Sequence, residues 1–331
     1  MTSGNTIQRD PFKKLMTTDE DDRAQGVRLP SRILDAHHHF WDLKTARYPW
    51  LDEAMDPHFF LGNYAALRID RRLPEDFRRA TAGLNVVGTV HCEAERDRGD
   101  QVGETRWLDE LHKVAGLPSA IVGHAWFDDP DCERVLVEHR TASPLLRGIR
   151  SKPVTSLTPE TMRWGGPRSM QDPAWLRGFA LLERYDLSWD LRVPYWHLPD
   201  AAEVARAFPN TPIVLNHTGF PWDRSARGLD QWRNAMRVIA AQPNVWLKVS
   251  ELGLKDAPWT AASNREVVKD AISIFGIERC MFASNWPVCE LRVSYGDLVH
   301  GLCEILSYLD EQCLDLFFYQ NASKFYRVSH P

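Results

Sequence analysis

The 331-residue chain is 44% hydrophobic and 26% charged, which excludes disordered and fibrous classes and by length allows two ordinary domains or one large barrel. Forty Lys plus Arg against forty-five Asp plus Glu leave a formal net charge of -5, so no global positive field recruits nucleic acid or an anionic membrane, and neither is expected as a partner. No run approaches the roughly 18 apolar residues of a membrane span, and the N-terminus lacks the apolar core of a secretory signal, so the expected location is cytoplasmic.

Residues 1–31 are polar, without periodicity, and read as an N-terminal extension to a single domain over residues 32–327. From there, short β-branched or aromatic runs alternate with helical signals. The expected strands are "RILDAHH", "NVVGTVHCEAE", "SAIVGHAWF", "LLRGIRS", "DLSWDLRV", "TPIVLNH", "NVWLKVSE" and "RCMFASNW". Among the intervening helices, "DPAWLRGFALLERY" has Asp172 as cap, Pro173 in the first turn, and Trp175, Phe179 and Leu182 on one face. Another, "LPDAAEVARAFPNTP", ends ahead of Pro209. Eight strands alternating with helices predict an α/β fold, a distorted (β/α)8 TIM barrel, over an open doubly wound sheet; no nucleotide-binding glycine motif follows the first strand. The six cysteines form no C-x-x-C pair and are expected as free thiols.

A barrel gathers its site at the C-terminal ends of its strands. In the first strand Asp35, His37 and His39 share one face, and Leu34, Ala36, His38 and Phe40 the other. If the apolar set faces the helices, His37 and His39 point inward and His38 away. The same alternation groups Thr89, His91 and Glu93, then Ile213, Leu215 and His217, then Met281, Ala283 and Asn285. His, Glu, His and Asn thus converge on one axis. Imidazoles two apart on a strand can meet at one cation through neutral nitrogens. The alternative makes Glu93 a structural ion pair and His217 a hydrogen-bonded core residue.

In order along the chain, "ILDAHHHFWD", "VHCEAE", "LRGIR", "DPAWLRGFALLERYDLSWDL", "PIVLNHTGFP", "WLKVSELG", "CMFASNWPV" and "NASKFYRV" resemble segments of the lactonase-like branch of the amidohydrolase superfamily. The resemblance implies a distorted barrel with a hydrolytic site, in which His37 and His39 match the first-strand H-x-H, Glu93 the second-strand carboxylate and His217 the sixth-strand histidine. Asn285 occupies the eighth-strand slot, where many relatives carry an aspartate that binds metal and takes a proton from water. An amide does not ionise, so Glu93 or His217 would have to be the base. Two forms of the site follow. One holds a divalent metal, Zn or Mn, on His37, His39 and His217; the other is metal-free, with the histidines and Asn285 as oxyanion donors.

Arg150, with its guanidinium fork, suits a substrate carboxylate or a salt bridge to a loop carboxylate. Arg192, His197 and Lys248 sit at comparable strand ends as further substrate contacts. Of thirteen tryptophans, Trp41, Trp50, Trp126, Trp164, Trp196, Trp222 and Trp286 lie near strand ends, with Trp41 and Trp286 taken as pocket walls. The long first loop, residues 40–72, reads as a lid or a subunit contact, and "MRWGGPRSMQDP" as a second lid. The expected function is a hydrolase opening a small lactone, sugar-derived or from aromatic-ring breakdown. The alternatives are a metal-dependent non-oxidative decarboxylase and a catalytically altered barrel that only binds its ligand. The partner is a small molecule, and the chain is open to forming a homo-oligomer.

Overall fold

The computed structural model describes residues 27–161, 165–255 and 257–328. Residues 1–26 of the expected extension, and Trp164 of the second lid candidate, lie outside them.

All eight expected strands form: β1 (Ile33–His38), β2 (Val86–Cys92), β3 (Ala120–Gly123), β4 (Leu146–Ile149), β5 (Ser188–Leu191), β6 (Ile213–Leu215), β7 (Val245–Val249) and β8 (Cys280–Phe282). Each pairs in parallel with the next in chain order. The ring closes where the chain leaves β8, through Asn285 N–H to the His37 carbonyl at 2.8 Å and His39 N–H to the Trp286 carbonyl at 2.8 Å. Closure at that end alone accounts for the distorted barrel. It also ties the first-strand histidines to the residues after β8.

The helices follow their local signals. The helix α1 (Pro173–Arg184) starts with the Ala174 N–H donating to Asp172 Oδ1 at 2.8 Å, and buries Trp175, Phe179 and Leu182 against β5. The helix α2 (Leu198–Ala207) stops before Pro209, which disfavours the helical conformation in the residue ahead of it. Among the described residues, no helix is long and apolar enough to cross a membrane.

The expected strand faces need correction. Leu34, Ala36, Val90 and Val214 point into the barrel, where they pack with Met281 and Ala283 against Tyr319, Phe325 and Tyr326 of the C-terminal segment. Ile213 and Leu215 lie in the outer layer against the helices. Both faces of these strands are apolar because the C-terminal segment plugs the barrel, so the apolar set did not identify the outward face. His37 still faces inward because β1 carries a bulge. Asp35 pairs with Thr89 and His38 with His91, so Ala36 and His37 together oppose Val90. His217 and Asn285 leave their strands with φ of 59° and 57°, which breaks the alternation again.

His38 turns outward as expected, packed against Phe40, Phe77 and His91. Among the described residues neither ring nitrogen has a partner, although the residue is fully buried. An unpaired buried polar group costs about 1–3 kcal/mol. His38→Leu is therefore expected to leave stability unchanged or raise it by about 1 kcal/mol in urea titration, with a loss beyond that size counting against this reading.

Candidate active site

The segment between β1 and β2 is organised by its own aromatic cluster, in which Trp41, Tyr48, Leu51, Leu61, Tyr64 and Leu67 are buried. Its packing carries Trp50, Phe59 and Phe60 over the strand ends. There they roof a cavity lined also by His39, Ala94, Glu95, Arg150, Arg192, His217, Asn285 and Val288. A wider cleft, lined by Trp259, Arg292, Asp297 and His300, lies among the segments that follow β7 and β8. Of the described tryptophans named above, Trp50 alone lines the cavity. Trp41 lies beneath it, donating to the Ile69 carbonyl, and Trp286 packs outward on Phe77 and donates to Glu290. His197 is also outside, held between Asp200 at 2.8 Å and the Ser156 N–H at 2.9 Å.

Two of the imidazoles, His39 and His217, have proton positions defined by their partners. His39 Nδ1 lies 2.8 Å from the Cys92 carbonyl, so it donates there and leaves its lone pair on Nε2. Burial, then the nearby Arg150 charge, pushes the His39 pKa well down, so the lone pair is available at neutral pH. His37 Nδ1 lies 3.4 Å from the Lys248 ammonium, and its Nε2 lies 3.3 Å from His39 Nε2 and 3.5 Å from Arg150 Nη1. His217 Nδ1 lies 3.1 Å from Ser250 Oγ, whose oxygen also accepts the His217 N–H. The hydroxyl proton goes to Nδ1, and His217 keeps a proton on Nε2 for the cavity.

Glu93 is the structural ion pair of the two alternatives. Arg150 Nε donates to it at 2.7 Å, Arg98 at 2.8 Å and the Glu95 N–H at 2.9 Å. Burial favours its neutral form, but the Arg150 and Arg98 charges outweigh that and hold its pKa well below the usual range. A carboxylate so occupied is no base, and Arg150 is the member of a salt bridge. Lys248 lies in the barrel below the cavity, bonded to Asp190, whose two oxygens also accept from Tyr326 at 3.0 Å. The C-terminal plug thereby braces the charge under His37.

Glu251 was missed in the sequence. Its carboxylate accepts from Asn285 Nδ2, and no cation approaches within ion-pairing distance among the described residues. Burial raises its pKa from 4.5 to about 7, against the pull of the Asn285 hydrogen bond and the Arg192 charge. It also adopts φ 49°, a conformation that costs a side chain more than a glycine. The only sequence signal was a carboxylate immediately after an apolar strand, the signal used for Glu93.

Asn285 therefore stands between an acid and a base. Its Oδ1 lies 3.2 Å from His39 Nε2, and its Nδ2 meets Glu251. An amide oxygen facing an imidazole lone pair is favourable only when that nitrogen is protonated. With the proton on Glu251 instead, the amide turns to donate to His39 and accept from the acid. With Glu251 ionised, the amide oxygen is set to accept once His39 Nε2 gains a proton.

The residues fit a divalent metal poorly. A ligating histidine normally donates its other N–H to an acceptor; His39 does, whereas His37 faces an ammonium. Asn285 contributes a neutral oxygen, and Arg150 Nη1 is 3.5 Å from His37 Nε2. The other grouping with ligand character, His37, Cys92 and Asp190, surrounds the Lys248 ammonium, whose Nζ lies 3.3 Å from Cys92 Sγ. That cation already fills the position.

Known proteins carry the same framework. An uncharacterized protein of Sinorhizobium fredii is 38% identical over 296 residues, covering 89% of this chain and 98% of that protein. An L-fucono-1,5-lactonase of Burkholderia multivorans is 31% identical over 277 residues, covering 80% and 85%. A crystal structure of an amidohydrolase from B. multivorans with bound zinc superposes with a TM-score of 0.73 at 26% identity, covering 90% and 100%. The amidohydrolase family model matches residues 34–328, a span that takes in the eight strands from Leu34 onward and every cavity residue, and the chain belongs to the amidohydrolase family.

Proposed function

We propose that the protein opens a small lactone by adding water to its carbonyl, using protein groups as acid and base. The observation that carries this reading is the His39–Asn285–Glu251 line, which presents an imidazole lone pair to the cavity with a carboxylate behind it. Water held at His39 Nε2 gives up a proton to that nitrogen as its oxygen bonds to the carbonyl carbon. Asn285 Oδ1 then accepts from the new Nε2–H, and the Glu251 carboxylate, bonded to the other end of the amide, steadies the imidazolium. His217 Nε2–H and Arg150 Nη1 face the developing oxyanion. When the tetrahedral adduct collapses, the ring C–O bond breaks, the leaving oxygen takes the proton from His39, and a hydroxy acid results.

The lactonase names among the relatives support the reaction class at moderate identity. Proton release from a panel of sugar and muconolactone-type lactones tests it. Turnover is expected to survive exhaustive chelation unchanged, because no step needs a metal; loss on chelation with recovery on one added cation would reject the metal-free form. An Asn285→Asp variant separates the ligand-binding alternative. Hydrolysis that appears only in the aspartate form would make the natural protein a binder.

A further inference from the structure

Arg192 differs from every other cation at the cavity. The Arg150 charge is paired with Glu93 through Nε, and Lys152 is paired with Glu95. Among the described residues Arg192 has neither a hydrogen-bond acceptor nor an ion-pair partner, although its neighbours include the buried Glu251 and Glu93 carboxylates at longer range. It is held instead by ring faces, with its guanidinium carbon 5.1 Å from the Phe220 centroid and 5.9 Å from that of Phe60. Such contacts fix the planar group without consuming its donors. A desolvated guanidinium with an open fork is matched by a bidentate carboxylate.

Burial, then the Arg150 charge, lowers the Arg192 pKa to about 10, which leaves it charged at neutral pH. Glu93 and Glu95 are paired with Arg150 and Lys152, which leaves Arg192 as the lining cation with no carboxylate at bonding distance among the described residues. Trp50, Phe59 and Phe60 beside it offer flat apolar surface for a ring.

We propose that the substrate is a lactone bearing a carboxylate apart from the ester, and that Arg192 binds this carboxylate. The inference rests on the hydrolytic reading above and narrows its substrate class from lactones in general to acidic ones. Arg192 is then a specificity residue, felt through KM for charged substrates only.

The test compares kcat/KM on matched pairs: D-glucaro-1,4-lactone against D-glucono-1,4-lactone, and muconolactone against its methyl ester. The wild type is expected to favour the acids by roughly 10- to 100-fold. In Arg192→Met, with rates taken on the pH plateau above the Glu251 step because the Arg192 charge acts on that carboxylate, the preference should vanish through a rise in KM for the acids, and Arg192→Lys should keep part of it. Equal wild-type rates on acid and neutral partners would overturn the proposal while leaving hydrolysis intact. An equal kcat loss on both in Arg192→Met would overturn it too, since Arg192 would then serve the oxyanion. A binding measurement separates the two readings. If no lactone turns over, but D-glucarate raises the melting temperature of the wild type and not of Arg192→Met, the carboxylate site stands and hydrolysis falls. Absence of both turnover and shift rejects the site.

Discussion

Glu251→Gln is expected to lower kcat for lactone opening by about 10²-fold with little change in KM. Glutamine keeps the shape and can still accept from Asn285 Nδ2, so the variant removes the charge and spares the packing. What is lost is the anion that stabilises the His39 imidazolium through the amide. The pH dependence gives a readout that a structural role would not produce. The wild-type rate should rise with pH through about 7, where Glu251 ionises. The glutamine variant should lose that step. Stability should move the other way. The folded pKa is raised from 4.5 to about 7, so between those values the native state holds a proton that the unfolded chain has released. This group's contribution therefore falls as pH rises through that window, and the variant should lack that slope. A glutamine variant with full activity would reject the His39–Asn285–Glu251 line.

The barrel was legible because its signals are local and redundant. Eight apolar runs, a capped helix start at Asp172 and a proline stop at Pro209 each say the same thing as the topology. The convergence of His39, His217 and Asn285 was legible as well, through their positions just past strand ends. Their directions were right for a reason the alternation did not contain. In β1 a bulge supplied the phase, and at His217 and Asn285 a left-handed backbone did. Neither leaves a mark in the pattern of apolar residues. The interior plug was invisible for a related cause: Tyr326 meets Asp190 across 136 residues of sequence, and no local period encodes that contact. Trp41, His197, Lys248 and Trp286 were placed in the pocket because they sit at the right depth along the chain. Their hydrogen bonds show them spent on Ile69, Asp200, Asp190 and Glu290. Arg192 differs from them in having no such partner among the described residues, a property that no sequence pattern encodes.

Glu93→Ala is expected to cost about 3–5 kcal/mol of unfolding free energy, the largest stability effect of any change at the site. Glu93 is wholly buried and the Arg150 side chain is 4% exposed. Deleting the acid leaves a desolvated guanidinium whose Nε had donated to it at 2.7 Å, and it frees Arg98 as well. The cost is that of an orphaned charge and not the net worth of the pair. Replacing both members, Glu93→Leu with Arg150→Met, should therefore recover much of the loss in stability. It should not recover activity, because Arg150 lines the cavity and faces His37. The sign with pH follows from the lowered Glu93 pKa. Its contribution is fully present above the unfolded value of 4.5 and is lost as pH falls through the folded value. Wild-type stability should thus decline on acidification below about pH 4.5 more steeply than that of the double variant. Urea titrations of the three proteins across that range give the comparison. A Glu93→Ala loss under about 1 kcal/mol would mean that Arg150 finds another anion, and the cavity's charge assignment, with Arg192 as its unpaired cation, would have to be redrawn.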